Sequence, residues 1–224
     1  MKYLFFDIEC SDGKHICAFG YVIVDKNFNI IEKKDIAINP KWGFRKGRDG
    51  FDPRTDLAYS VEYFRKQKSF DYHYENIKKI LLLEDTIVLG HAVSSDLSFL
   101  RMACDRYNLP QIQISAYDTQ NIYYQYNKQH YFRSLENIAK DLELDISNLS
   151  EHKSCDDAEI SMLITKEICK KLDTSLDELL ELCEKSVKNV KNKSNKKSSV
   201  YNSVSFAIKD ALNKKGITIE DFEQ

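Results

Sequence analysis

Asp7, Glu9, Asp96, Asp157 and His152 fall in three short stretches of the 224-residue chain: Asp7-Ile8-Glu9, Gly90 through Asp96, and His152 through Asp157. Carboxylates are the preferred protein ligands of hard divalent cations. Two such cations, held about 3.5 to 4 Å apart, lower the pKa of an attacking water and neutralise a departing oxygen, which is what phosphodiester hydrolysis demands. A histidine beside them titrates near neutrality and can take the proton that the water must lose. Asp7, Glu9, Asp96 and Asp157 are therefore candidate ligands for two ions, Mg²⁺ or Mn²⁺, and His152 is the candidate base.

That chemistry requires convergence, and the elements around each group allow it. Residues 3–8 form a nearly continuous apolar run, the pattern of a central strand covered on both faces. Asp7 and Glu9, two apart on that strand, project from one face where it leaves the sheet. Asp96 follows an apolar strand at 86–90, in the first turn of a helix over 94–108. It reaches the same edge if the two strands are adjacent and parallel. With Ser154 as the N-cap of a helix over 154–172, Asp157 is its N3 residue and His152 lies just outside. His91, at a strand terminus, reads as structural. Each stretch alone also has a plainer reading, as acids marking a strand end or offsetting a helix dipole.

The rest of the chain supplies the frame. Strands at 16–25 and 29–38 are joined by a hairpin at 26–28, and a further strand lies at 114–118. Helices fall at 61–83, 119–127 and 134–142. A meander followed by alternating units implies an α/β fold: a mixed five-stranded sheet, three antiparallel strands then two parallel, flanked by helices. The long loop 39–60 carries Arg45, Lys46, Arg48 and Arg54, which could touch a substrate backbone or simply be solvated. Residues 1–173 read as one domain and 174–224 as a helical, lysine-rich extension. In that extension a capping box from Ser175 to Glu178 opens a stripe of Leu176, Leu179, Leu180, Cys183 and Val187. The run from Lys188 to Ser199 has little to bury, and Val204, Ile208, Ala211 and Leu212 mark a second amphipathic segment.

Composition narrows the classes. The net charge of −2 divides unevenly: residues 185–215 hold nine lysines against one acid, and residues 1–184 sum to −7. An acidic body grips phosphates poorly unless bound cations offset its carboxylates. No run approaches the roughly 18 apolar residues that span a bilayer, and the apolar amino terminus is cut by Asp7 too early for a secretory signal. A cytoplasmic, non-membrane protein is the expectation. The six cysteines form no Cys-x-x-Cys pair and read as small reduced core and surface residues.

In order, the motifs run Asp-x-Glu, Asp, His-x4-Asp, and this pattern resembles the DEDDh exonucleases, the DnaQ-like family with a ribonuclease-H-like fold. Phe6 through Glu9 resembles that family's first motif, Gly90-His91 through Asp96 with Phe99-Leu100 its second, and His152 through Ala158 its third. Asp118-Thr119 and Ser134 through Asn137 fall where the family often has Asp-Thr and Ser-Leu-x-x-Leu-Ala. The likeness spans residues 3–172. It implies a metal-dependent 3′–5′ exonuclease releasing nucleoside 5′-monophosphates from DNA or RNA, with a 3′ end, single-stranded, as partner. Asp7 would bridge both ions, Glu9 and Asp157 would hold the nucleophile-side ion, and Asp96 would serve the other through water. Cys10, Ser11 and Phe99 fall where the terminal nucleotide is held. Cys10, Ala92 and Ser95 depart from the residues most common in the family, and none of them is an expected ligand. The tyrosine-type branch is disfavoured by Lys153, four before Asp157.

Tyr123, Tyr124, Tyr126, Tyr131 and Phe132 suggest base stacking or, more simply, packing. Three rival functions stand beside the exonuclease: a non-catalytic nucleic-acid- or protein-binding module on the same fold, a hydrolase of very short oligonucleotides, and a proofreading subunit. The extension would serve a homodimer or dock on a polymerase or nucleic acid.

Overall fold

A computed structural model describes residues 1–45, 57–128, 133–183 and 187–189. Six strands form one sheet in the order β3-β2-β1-β4-β5-β6. The antiparallel part comes first in the chain: β1 (Lys2–Cys10), β2 (Ile16–Val24) and β3 (Ile30–Ala37). β4 (Thr86–Gly90) then pairs with β1 in parallel, and β5 (Ser115–Asp118) with β4. The five expected strands are present, with β1 central and buried on both faces. A sixth, β6 (Val187–Asn189), pairs antiparallel with β5. Val187 and Lys188, assigned from sequence to a helical stripe and a solvated run, thus sit in the sheet.

Helices cover both faces. α1 (Val61–Lys66) and α2 (Phe70–Leu81) replace the single expected helix over 61–83; the first ends at Gln67, whose backbone is extended. α2 and α3 (Ser94–Arg106) pack with Leu4, Phe6, Ile8 and Cys10 on one face. α4 (Thr119–Asn127), α5 (Leu135–Asp141), α6 (Ser154–Lys171) and α7 (Leu176–Leu182) pack with Tyr3, Phe5, Val22 and Val24 on the other. This is the alternation of a strand buried on both sides, read out residue by residue. α7 carries the expected capping box at Ser175 and Glu178, and the Tyr3 hydroxyl donates to Asp177 at 2.6 Å. All six cysteines are buried and reduced, none on the surface. No helix among the described residues is long and apolar enough to cross a membrane. Lys46, Arg48, Arg54, Tyr131, Phe132, most of the lysine run and the last amphipathic segment lie outside the described residues.

Candidate active site

β4 ends at Gly90, opposite Phe6, so β1 runs on past its parallel neighbour from Asp7 onward. The strand edge that this frees is taken up by the first turn of α3: the Ile8 amide donates to the Asp96 carboxylate, and Asp96 is buried. Asp7 and Glu9 project to the opposite face from Ile8, toward α6.

That face is cleared for α6 by small residues. Gly20 of β2 lies across from Asp7, and Ala18 across from Glu9. A Cβ at Gly20 would stand 2.0 Å from the Cys155 nitrogen and 2.1 Å from the Ser154 carbonyl carbon, so the first turn of α6 rests on bare backbone. β3 fixes that turn from the next strand. Asp35, paired with Gly20, accepts from the Cys155 amide at 3.0 Å, supplying from 120 residues away the cap that Lys153 lacks. Two residues along, Lys33 pairs with Asp156 and Glu159. The N-cap is Lys153 rather than Ser154, so Asp157 is the fourth helical residue, not the third.

The consecutive acids Asp156 and Asp157 have opposite fates. Burial acts to raise Asp156, but Lys33, the Ser150 amide and Lys153 outweigh it and hold the carboxyl below its usual range. Asp157 faces the site, where burial and then Glu9 push it up to about 7. His152, in a left-handed conformation at φ 56°, brings Nδ1 to 3.1 Å from Glu9 Oε1. Ligand atoms of Glu9, His152 and Asp157 lie within 4.8 Å of one another.

Asp7 and Asp96 complete the cluster electrostatically. Burial, then Asp96, Asp157 and Glu9, raise Asp7 well above the ordinary carboxylate range; burial, then Glu9 and Asp118, do the same to Asp96. One oxygen each of Asp96 and Asp157 is buried without a hydrogen-bond partner. Such groups are costly when left uncompensated. A hard-oxygen donor set with bare inward oxygens and mutual repulsion is a set that divalent cations fit.

A polar network that sequence reading assigned no work supports Asp96 from below. Asp118 accepts from the Ala92 and Gln120 amides, each at 3.1 Å, and so caps α4 while pinning the β4–α3 turn. The Thr119 hydroxyl bonds the Gly90 carbonyl at 3.2 Å and Ser161 of α6 at 2.8 Å. His91 sits against Thr119 and Gln120, and burial lowers it to about 4, leaving it neutral. Asp35 and Lys33 also escaped sequence reading; the one available signal was a pair of opposite charges on the face of β3 that should be apolar.

Cys10 points into the α3-side core, and Ser11 is buried with its hydroxyl unpartnered. Phe99 is half-buried against the same core. Tyr123 is buried with its hydroxyl donating to Asp141 at 2.8 Å, and Tyr124 and Tyr126 pack beside it, as packing residues do.

The frame recurs in solved proteins. The nuclease domain of 3′hExo, a DEDDh family member bound to rAMP, superposes with a TM-score of 0.62 at 13% identity, over 76% of this chain and 91% of that one. E. coli exonuclease I in complex with a dT13 oligonucleotide gives 0.56 at 16%, over 77% and 42%. Cell-death related nuclease 4 gives 0.59 at 14%, over 76% and 64%. These likenesses establish a ribonuclease-H-like fold. No curated protein matches the sequence. The family model described as Exonuclease (RNase_T) matches residues 4–165, a span that opens just before Asp7 and closes beyond Asp157. With the match running through all three acidic stretches and most of the described sheet, the chain belongs to the exonuclease family.

Proposed function

We propose that the protein is a metal-dependent 3′–5′ exonuclease that removes nucleoside 5′-monophosphates from the 3′ end of single-stranded DNA or RNA. The observation that carries this reading is the meeting of Glu9, His152 and Asp157 within 4.8 Å beside the half-buried Asp7 and the buried Asp96. The polarity draws on a 3′-exonuclease of the same fold, and the substrate on a nuclease domain bound to rAMP and an exonuclease I in complex with dT13.

Asp7, Glu9, Asp96 and Asp157 would hold two divalent ions, Mg²⁺ or Mn²⁺. When bound, these activate water and stabilise the charge that builds up on phosphate and leaving oxygen. The remaining steps belong to side chains. With His152 donating Nδ1–H to the Glu9 carboxylate, the ring keeps its Nε2 lone pair. Nε2 then takes the proton from the attacking water. The left-handed backbone at His152 and the Cys155–Asp35 bond fix where that nitrogen stands.

A time course on 3′- and 5′-labelled single strands, with Mg²⁺, Mn²⁺ or EDTA, tests the reading. Metal-dependent release of mononucleotides from the 3′ end is expected. Asp7→Ala should abolish it, and His152→Ala should slow it by about 10²- to 10⁴-fold. Strand binding without cleavage under any of these conditions would replace the enzyme with a binding module.

A further inference from the structure

Trp42, the one tryptophan of the chain, is 59% exposed and yet held in place. Its ring stacks on His15 at 4.7 Å and 22°, and the Arg106 guanidinium lies 5.7 Å from its centroid. Arg106 is anchored by donating to the Pro40 and Lys41 carbonyls at 2.6 and 3.0 Å. Asn39 accepts from the Lys41 amide at 2.9 Å, fixing the turn behind the ring. One face of the indole is therefore occupied by His15. The Arg106 guanidinium also lies over the ring, and with 59% of the residue exposed, part of the indole surface remains accessible to a base.

The surroundings are cationic in a body that is otherwise acidic. Lys14, Lys41, Arg45 and Arg106 are exposed around the ring, and a cleft of about 200 Å³ opens beside it between Lys14, His15, Met102 and Arg106. Asp12, beside Lys14 in the chain, is engaged by the His15 ring and by the Lys14 and His15 amides.

α3 connects this patch to the acidic cluster. Asp96 stands in its first turn and Arg106 in its last, ten residues and roughly 15 Å apart at 1.5 Å per residue. Phe99 and Met102, both half-buried, share a helical stripe with Arg106 between them. That length matches about four stacked nucleotides at 3.4 Å each.

We propose that Trp42, with Arg106 and Lys14, is a stacking platform for a base about four nucleotides upstream of the 3′ end of a single-stranded nucleic acid. The proposal rests on the exonuclease reading for the direction of the strand. A flat aromatic face takes any base, and the cations around it take the phosphates on either side. A strand of two nucleotides ends short of the platform, and one of eight crosses it.

Trp42 supplies its own reporter. Titrating dT8 into the protein in EDTA should quench its fluorescence to saturation, dT2 should not, and Arg106→Gln should weaken dT8 binding several-fold. Oligo-U of the same length separates ribose from deoxyribose. Heparin, a polyanion without bases, should bind without comparable quenching; equal quenching by heparin overturns stacking. In turnover with Mg²⁺ or Mn²⁺, KM should fall from two to eight nucleotides, and Trp42→Ala should remove about ten-fold of that gain, while Trp42→Phe retains most of it. An undiminished gain in Trp42→Ala overturns the platform while leaving the exonuclease intact. Quenching by dT8 without turnover would instead remove the exonuclease and keep the platform. Thermal melting of each variant verifies that it is folded.

Discussion

Gly20 and Cys155 are in backbone contact: the place where a β-carbon would stand on Gly20 is 2.0 Å from the Cys155 nitrogen. Two residues on from Cys155 is Asp157, and across the strand pair from Gly20 is Asp7. The glycine thus sets the height at which one acid of the cluster hangs over another.

Gly20→Ala should accordingly lift the start of α6. Overpacking of this kind costs about 1 to 3 kcal/mol, and a displacement near 1 Å in a catalytic group can lower turnover about 10²-fold. Melting temperature and nuclease rate measured together check this. A variant with wild-type rate would show that α6 is free to shift without consequence.

The metal-free protein should lose stability as pH rises. Asp157 has a folded pKa of about 7 against an ordinary 3.8, so through that window the folded state keeps a proton that the unfolded chain has released. Stability therefore falls from about pH 4 to about pH 7 and levels off above it, by at most on the order of 4 kcal/mol from this group. Asp7 and Asp96, raised in the same direction, add to the trend. Melting curves in EDTA across pH 5 to 8 would reveal it. Mg²⁺ or Mn²⁺ should raise the melting temperature most at the upper end.

Asp157→Asn separates folding from chemistry. It removes a buried charge that Glu9 opposes, so the metal-free protein should melt several degrees higher at pH 8. Turnover and the Mn²⁺-induced rise in melting temperature should both be lost or sharply reduced. A variant that melts lower than wild type in EDTA would contradict the electrostatic account.

Asp35 acts on α6 as a cap donated by another strand. Asp35→Ala should cost about 1 kcal/mol and slow turnover through misplacement of Asp157. Asp35→Asn, which keeps an acceptor for the Cys155 amide, should cost less. Equal losses in the two variants would mean that charge rather than the hydrogen bond holds the turn.

These residues also show what the sequence could and could not reveal. Asp7, Glu9, Asp96, His152 and Asp157 were legible because each sits at a strand end or helix start, where short-range pattern fixes position. Asp35 and Lys33 were not, because their partners lie more than 100 residues away and come near only through strand pairing. β6 was hidden because three residues, Val187 to Asn189, show no alternation, and its order comes from the edge of β5. The break between α1 and α2 at Gln67 fell inside a run whose apolar spacing looked continuous. The displacement of the α6 cap by one residue lies within the ambiguity of any helix end.

The repulsion among Asp7, Glu9, Asp96 and Asp157 has an evolutionary side. A buried acid held far above its usual pKa is a standing debt against folding, and a single Asp→Asn change would relieve part of it. Neutral drift in a chain with no further use for its ions would run toward such changes, each one a gain in stability. A retired copy of this fold should therefore be recognisable by a cluster thinned of charge and a higher melting point without metal, whereas this chain still carries all four acids.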